Sequence, residues 1–480
     1  MSRPPVAAKI FAKRARPARP RPEYRPRIPR MDVTRTLARY LVNSRWEDIP
    51  ERVRHEAARA LLNWLGCAVG GSRHETVDCA LAAVQPFCGP PQAAVLGRAE
   101  RVDILHAALL NGISSHVLDF DDTHVRAIHP SAPVLPALLA LAEWRKLGGA
   151  EFVHAFVLGV EAEERIGLSV FPEHYEAGWH ITGTAGVFGA AAAAGKLLGL
   201  DERAMTWALG IAATQAAGLQ EMFGTMCKSL HPGRAAQGGL TAALLAAKGF
   251  TSSERAIEAR RGFARVTSTK FDPEVITAGL GERFELLFNM YKPYACGLVV
   301  HAAIDGCIEI CREHGLTPDA VEAVELTVSP LVLRLTGKAA PRSGLEGKFS
   351  VYHAAAAAVV HGAAGEAQFS DACVRDPHVV EVRKRVSTRE DPAIGRTEAR
   401  VTIRTRDGRS FSRHVEHALG TLARPMSDAD LEAKFKGLAR DVLPPAQIGE
   451  AIQLCWKIAG LKDAGALARA AVPQRPVDGG

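Results

Sequence analysis

The chain has 480 residues, 47% hydrophobic and 23% charged, an ordinary globular composition but too long for one core, so two domains are expected. Its formal charge of +7 is concentrated in residues 1–30, where ten basic residues and Glu23 sum to +9 and leave the remaining 450 residues at −2. The body of the protein is therefore not basic, which argues against a nucleic-acid-binding surface.

The first thirty residues also hold seven prolines and too little apolar surface to fold, so a disordered tail is expected there. A basic arm for nucleic acid or anionic lipid is one reading of it. A translation start at Met31, just before the first helical pattern, is the favoured one. No secretory apolar segment is present, and the Ala/Gly run over 185–195 is too short to cross a membrane. Nine cysteines are dispersed without a CxxC pair, as expected for reduced thiols in a cytoplasmic protein without an iron–sulfur cluster.

From Asp32 to about residue 265 helix follows helix. Asp32 is placed to cap the first, and Pro50 starts a second that ends near Gly70-Gly71. Further helices are expected over 74–86, 102–117, 131–147, 150–168, 182–198 and 202–219. Pro232 marks the start of the next, which ends at Gly249. From about 268 strand-like segments appear at 323–328, 382–387, 398–405 and 409–416, the last two joined by Asp407-Gly408. Helices at 299–313 and 349–361 lie among them. After Pro425, Ser427 caps a helix over 428–441, and 446–470 gives one more. The fold class is mainly α: a helical domain over 31–267, a smaller α+β lid over 268–420, and C-terminal helices over 421–470 that return to the helical domain.

Five short polar stretches interrupt these apolar patterns. The densest holds Asp119, Asp121, Asp122, Thr123, His124, Arg126 and His129 between two apolar helices. Burying so many titratable groups is costly unless they pair or do chemistry. His180 precedes a helix of small residues. Lys228 and His231 lie just ahead of the Pro232 helix, where a helix N-terminus with Arg234 favours an anion. Lys292 opens Lys-Pro-Tyr-Ala-Cys-Gly-Leu-Val-Val-His301, and Tyr352 heads an Ala-rich helix. No nucleotide-binding loop, GxSxG or HExxH is present. The inventory suits a site in which lysines grip a small polycarboxylate and a base removes a proton beside one carboxylate, with no metal and no cofactor.

Leu-Asp-Phe-Asp-Asp-Thr-His followed by His-Pro-Ser-Ala-Pro-Val-Leu-Pro-Ala resembles the signature of the MmgE/PrpD family. The resemblance continues through 178–186, 228–236, 292–297 with His301 and Asp305, and 348–352, in order over about 31–470. It implies a helical domain with an α+β lid, an active site in the crevice between them, a homodimer, and no metal or cofactor. By motif position it implies active-site roles for Asp119, Thr123, His129, His180, Lys228, Lys292 and Tyr352. His231, Arg234 and His301 are further expected to help bind substrate. The family holds dehydratases, decarboxylases and epimerases. The Arg126-Ala-Ile spacer and the Gly-Leu-Val-Val run after Cys296 depart from many relatives, at positions expected to line the substrate pocket.

The expected activity is a cofactor-free hydro-lyase that dehydrates a small hydroxy-polycarboxylate such as 2-methylcitrate. An epimerase of an aspartate-like or imino diacid, and a decarboxylase of a cis-aconitate-like acid, are the alternatives on the same site. A metal-dependent hydrolase with Asp119, Asp121, Asp122, His124 and His129 as ligands is a rival from another class, disfavoured by the cations nearby. A non-enzymatic binding protein is another.

Overall fold

The computed structural model describes residues 32–126 and 128–474. The expectations for the basic tail, including a start at Met31, lie outside them. The described chain is mainly helical, with one four-stranded sheet and two ribbons of two-residue strands elsewhere.

The small-residue helices expected from sequence pack at close range. In Ile181–Leu197, which is almost wholly Gly, Ala and Thr toward the core, Ala190 meets Gly239 of Cys227–Ala246. Helix Ile104–Val117 crosses Cys227–Ala246 backbone to backbone. A Cβ at Gly112 would stand 2.6 Å from the Gly233 Cα, so only glycine allows that approach. The crossing is what brings the C-terminal end of the first helix to the first turn of the second.

That first turn lies earlier than the sequence suggests. The helix begins at Cys227 and carries Pro232 in its interior, so Lys228 is helical rather than part of a preceding loop. Proline has no N–H for the Lys228 carbonyl four residues back, so one intrahelical hydrogen bond is missing just beyond the first turn. The expected strand over 382–387 also differs. Asp376 caps and Pro377 opens a helix, Pro377–Arg383, and the strand starts only at Val386. The expected last helix breaks at Gly460 and Gly465 into Pro445–Trp456 and Ala466–Ala470, with a short 3-10 turn between.

The sheet runs in the order Val386–Glu390, Val321–Val328, Ala399–Thr405, Ser410–Val415, with the first pair parallel and the others antiparallel. Alternating burial along Val321–Val328 and Ala399–Thr405 buries one face. His301–His314 lies on that face, with Gly306 against Val401. The apolar core of this region continues through Val299 and Val300 to Val117, Leu118 and Phe120, so it reaches the densest polar stretch from behind.

After the sheet the chain returns to the helices. Ser427 caps Asp428–Ala439 as expected, and Phe435 of that helix sits over Gly66 of Glu51–Gly71, with a contact of 3.0 Å to the position of an added Cβ. Truncating a phenylalanine buried this way costs about 3–5 kcal/mol. The same helix carries Lys434 inward, toward the candidate site.

Candidate active site

The loop after Ile104–Val117 is held at both ends. Thr123 and His124 pair antiparallel with Met290 and Asn289, which fixes the loop beside the segment that carries Lys292. Asp119 adopts φ 49, a left-handed conformation unusual outside glycine, and this turns its carboxylate inward.

Asp119 is buried between two ammonium groups. Its Oδ1 lies 2.5 Å from Lys228 Nζ and 3.2 Å from Lys292 Nζ, while Lys292 Nζ also donates to the Asp119 carbonyl at 3.0 Å. Asp119 Oδ2 accepts no hydrogen bond among the described residues. Burial opposes ionisation, but the two lysines outweigh it and hold the carboxyl far below the usual carboxylate range. Burial draws the Lys228 ammonium below the ordinary lysine value, against the pull of Asp119.

Lys228 Nζ also donates to His116 Nε2 at 2.8 Å, and His116 Nδ1–H donates to Asp121 at 2.9 Å. Those two contacts assign the neutral Nδ1–H tautomer, and burial takes the imidazole down to about 3. Asp121 stands 3.3 Å from His129 Nδ1 as well, and that nitrogen donates to the Asp122 carbonyl at 2.9 Å. His129 is thus held from behind, with Nε2 left for the cavity, and burial lowers its pKa. His180, at the N-terminus of Ile181–Leu197, shares a 2.8 Å hydrogen bond with His231 through the Nδ1 atoms. Burial pulls it well below 6.5, with Lys228 adding to the effect.

A cavity of about 80 Å³ opens beside these groups. Asp119, Thr123, His129, His180, Lys228 and Lys292 form its polar wall. The α+β region contributes Leu298, Val299, Leu335 and Phe349, and the helical side contributes Phe223. The Gly-Leu-Val run after Cys296, expected to line the pocket, does so and makes it apolar.

Four residues named from sequence stand elsewhere. The Tyr352 hydroxyl is 2.9 Å from Thr388 Oγ1 in the lid and is not among the cavity-lining groups. His231 stands behind His180. Arg234 is exposed and donates to Gln237 on the same helix. His301 is buried with Nε2 at 3.3 Å from the Cys296 carbonyl and its ring against Tyr294. The helix geometry explains Arg234: it lies six residues after Lys228, on another face.

Other residues that sequence reasoning missed belong to the site or hold it. His116 looked like part of an apolar helix, although its position three residues before Asp119 was a signal. Tyr175 and Arg396 line the cavity. Lys434 donates to Asn63 Oδ1 at 2.7 Å and to the carbonyls of Phe120 at 2.6 Å and Lys292 at 2.9 Å. Its ammonium also sits 3.9 Å over the Phe120 ring. One amine from the returning helix therefore binds the two segments that deliver Asp119 and Lys292.

A metal suits this set poorly. Ring nitrogens of His116, His129 and His180 come within 4.8 Å of one another. However, both His116 nitrogens are already engaged, one of them by an ammonium that would repel a cation. The other ligand set considered from sequence does not converge. Asp122 accepts from Ser131 Oγ and Asn289 Nδ2, each at 2.6 Å, and His124 lies between Glu164 at 3.2 Å and Glu285 at 3.4 Å.

The MmgE/PrpD N-terminal domain profile matches residues 35–276 and the C-terminal domain profile matches 294–458. The chain belongs to the MmgE/PrpD family. Curated relatives in this family include the cis-aconitate decarboxylase of Aspergillus terreus, 28% identical over 90% of this chain and 94% of that protein. Those of Mus musculus and Homo sapiens are 27% and 26% identical, each over 91% of this chain and 93% of theirs. Among the described residues, no helix is long and apolar enough to cross a membrane.

Proposed function

We propose that this member of the MmgE/PrpD family is a lyase that removes CO2 from a cis-aconitate-like tricarboxylate. The observation that carries the reading is the pairing of two lysines, fixed around Asp119, with the neutral imidazole of His129 turned to the same cavity. The activity named for its relatives over nine-tenths of the chain supports decarboxylation as the outcome.

In this reading Lys228 and Lys292 hold one substrate carboxylate and stabilise negative charge that develops beside it. The departing carboxylate lies against Leu298, Val299 and Leu335, where it loses hydration and CO2 leaves as a neutral molecule. The bond from the methylene carbon to that carboxylate breaks, and its electron pair becomes a new double bond to the central carbon. The former double-bond pair moves to the third carbon, which takes a proton. An imidazole that is neutral in the empty cavity gains a proton when a polyanion binds beside it, so His129 or His180 can supply it. Where the imidazolium is that of His129, Asp121 stabilises it and orients the ring.

Incubating the purified protein with cis-aconitate tests this. The expected result is release of CO2 and a methylene-bearing dicarboxylate one CO2 lighter. Dehydration of a hydroxy-polycarboxylate such as 2-methylcitrate is the second reading, favoured by the Tyr175 phenol at the cavity. Burial raises that phenol to about 12, which keeps it a proton donor toward a departing hydroxide. Alkene absorbance from 2-methylcitrate with no CO2 from cis-aconitate would decide for it. Exchange of α-hydrogen for deuterium without either product would point to an epimerase.

A further inference from the structure

Arg396 lies in the lid between strands Val386–Glu390 and Ala399–Thr405 and lines the cavity. Its Nη1–H donates to the carbonyl of Arg126, at 2.7 Å, on the loop that carries Asp119. Its Nε–H is buried and meets no acceptor among the described residues, and no carboxylate among them lies within ion-pair distance of the guanidinium. Lys228 and Lys292, by contrast, share Asp119. A half-buried guanidinium without an anion is an expensive arrangement. Burial and the neighbouring Arg126 both disfavour its charge, and the Tyr175 phenol stands close enough to feel it. Tyr175 lines the same cavity.

We propose that Arg396, assisted by Tyr175, binds a second substrate carboxylate from the lid side, so that the site selects acids carrying at least two carboxylates. This rests on the reading of the cavity as a polycarboxylate site and names the class it accepts. One carboxylate goes to Lys228 and Lys292, and a retained one goes to Arg396. A guanidinium presents parallel N–H groups that suit a carboxylate, and the free Nε–H is one of them. The contact to Arg126 keeps the fork in place while Nε has no acceptor of its own among the described residues. An acid with one carboxylate would leave Arg396 unpaired and bind weakly.

Binding of unreactive probes tests the proposal apart from catalysis. Tricarballylate and its central and terminal monoamides are titrated calorimetrically into wild type, Arg396→Gln and Arg396→Lys, each first checked for a native melting curve. Arg396→Gln should weaken tricarballylate by roughly ten- to a hundredfold. It should leave at least one monoamide, the one lacking the carboxylate that Arg396 holds, nearly unaffected. Arg396→Lys should recover part of the loss. Equal weakening of all three probes would mean that Arg396 only ties the lid to the Arg126 loop, and would overturn the proposal. So would a wild type that binds none of them. If cis-aconitate yields no CO2 while this probe pattern holds, the decarboxylase reading fails and the role of Arg396 stands.

Discussion

Asp119 and Asp122 lie three residues apart on one loop, both buried, yet their surroundings push them in opposite directions. Asp119 faces two lysines and is held ionised. Asp122 faces Ser131, Asn289 and the ionised Asp121, and burial raises it to about 7. Behind Asp122 the contrast continues. Glu163 and Glu164 are wholly buried and raised well above the ordinary value, first by burial and then by neighbouring acids. The loop thus separates a cation-rich cavity from an interior where Asp122, Glu163 and Glu164 are pushed toward the protonated form. Burial acts alike on both faces, so the partners decide which carboxyl carries charge.

Removing the partner on the cavity side should have the largest effect. Asp119→Ala leaves two buried lysines without their shared anion, and we expect turnover to vanish and stability to fall by about 3–5 kcal/mol. Denaturant melts and product assays check both; near-normal turnover would break the contrast. His129→Gln should come next, lowering kcat by about 10²–10⁴-fold with little change in Tm. A loss of Tm matching the loss of rate would instead make His129 a structural residue.

Lys434→Met touches neither face but releases the carbonyls of Phe120 and Lys292. It should cost about 1–3 kcal/mol and lower kcat, because Asp119 and Lys292 lose their common anchor. Stability loss with kcat unchanged would show that the anchor does not position the site.

Asp122→Asn should have the smallest effect on turnover. The amide oxygen can still accept from Ser131 and Asn289, which both use one carboxylate oxygen. Its signature is in pH. A folded pKa of about 7, against an ordinary 3.8, means that the stability Asp122 contributes is full below 3.8 and is lost as pH rises to about 7. The loss runs at about 1.4 kcal/mol per pH unit within that window. The variant should therefore gain on wild type between pH 5 and pH 7 in melting experiments, with the difference level above that. A constant Tm difference would refute the assignment of a protonated Asp122.

Much of this was legible in the sequence for physical reasons. Three acids and two histidines between apolar helices could not be ordinary core, and the small-residue pattern of 182–198 announced close packing. The helical class, the lid strands and the Asp407-Gly408 hairpin follow from periodicity and turn chemistry. What stayed hidden depends on distant partners. Arg396 meets the loop of Arg126 across 270 residues, and nothing in its local sequence distinguishes it from other lid arginines. Lys434 lies within the Ser427-capped helix, and nothing in its local sequence marks it as an inward-facing lysine. His116 read as one polar residue in an apolar run until Lys228 and Asp121 came to its two nitrogens. Tyr352 shows the reverse: its motif was clear, but its hydroxyl meets Thr388.

Lys434 also bears on when the site can exist. On a growing chain, Asp119 and Lys228 are synthesised long before the helix Asp428–Ala439, yet the amine that clamps Phe120 and Lys292 arrives only with that helix. The nascent protein can form its earlier helices first, but the two loops stay unfastened until the helix Asp428–Ala439 has been made. A nick that freed the C-terminal helices would undo the same fastening, disarming the cavity from a point in the sequence that supplies none of its walls.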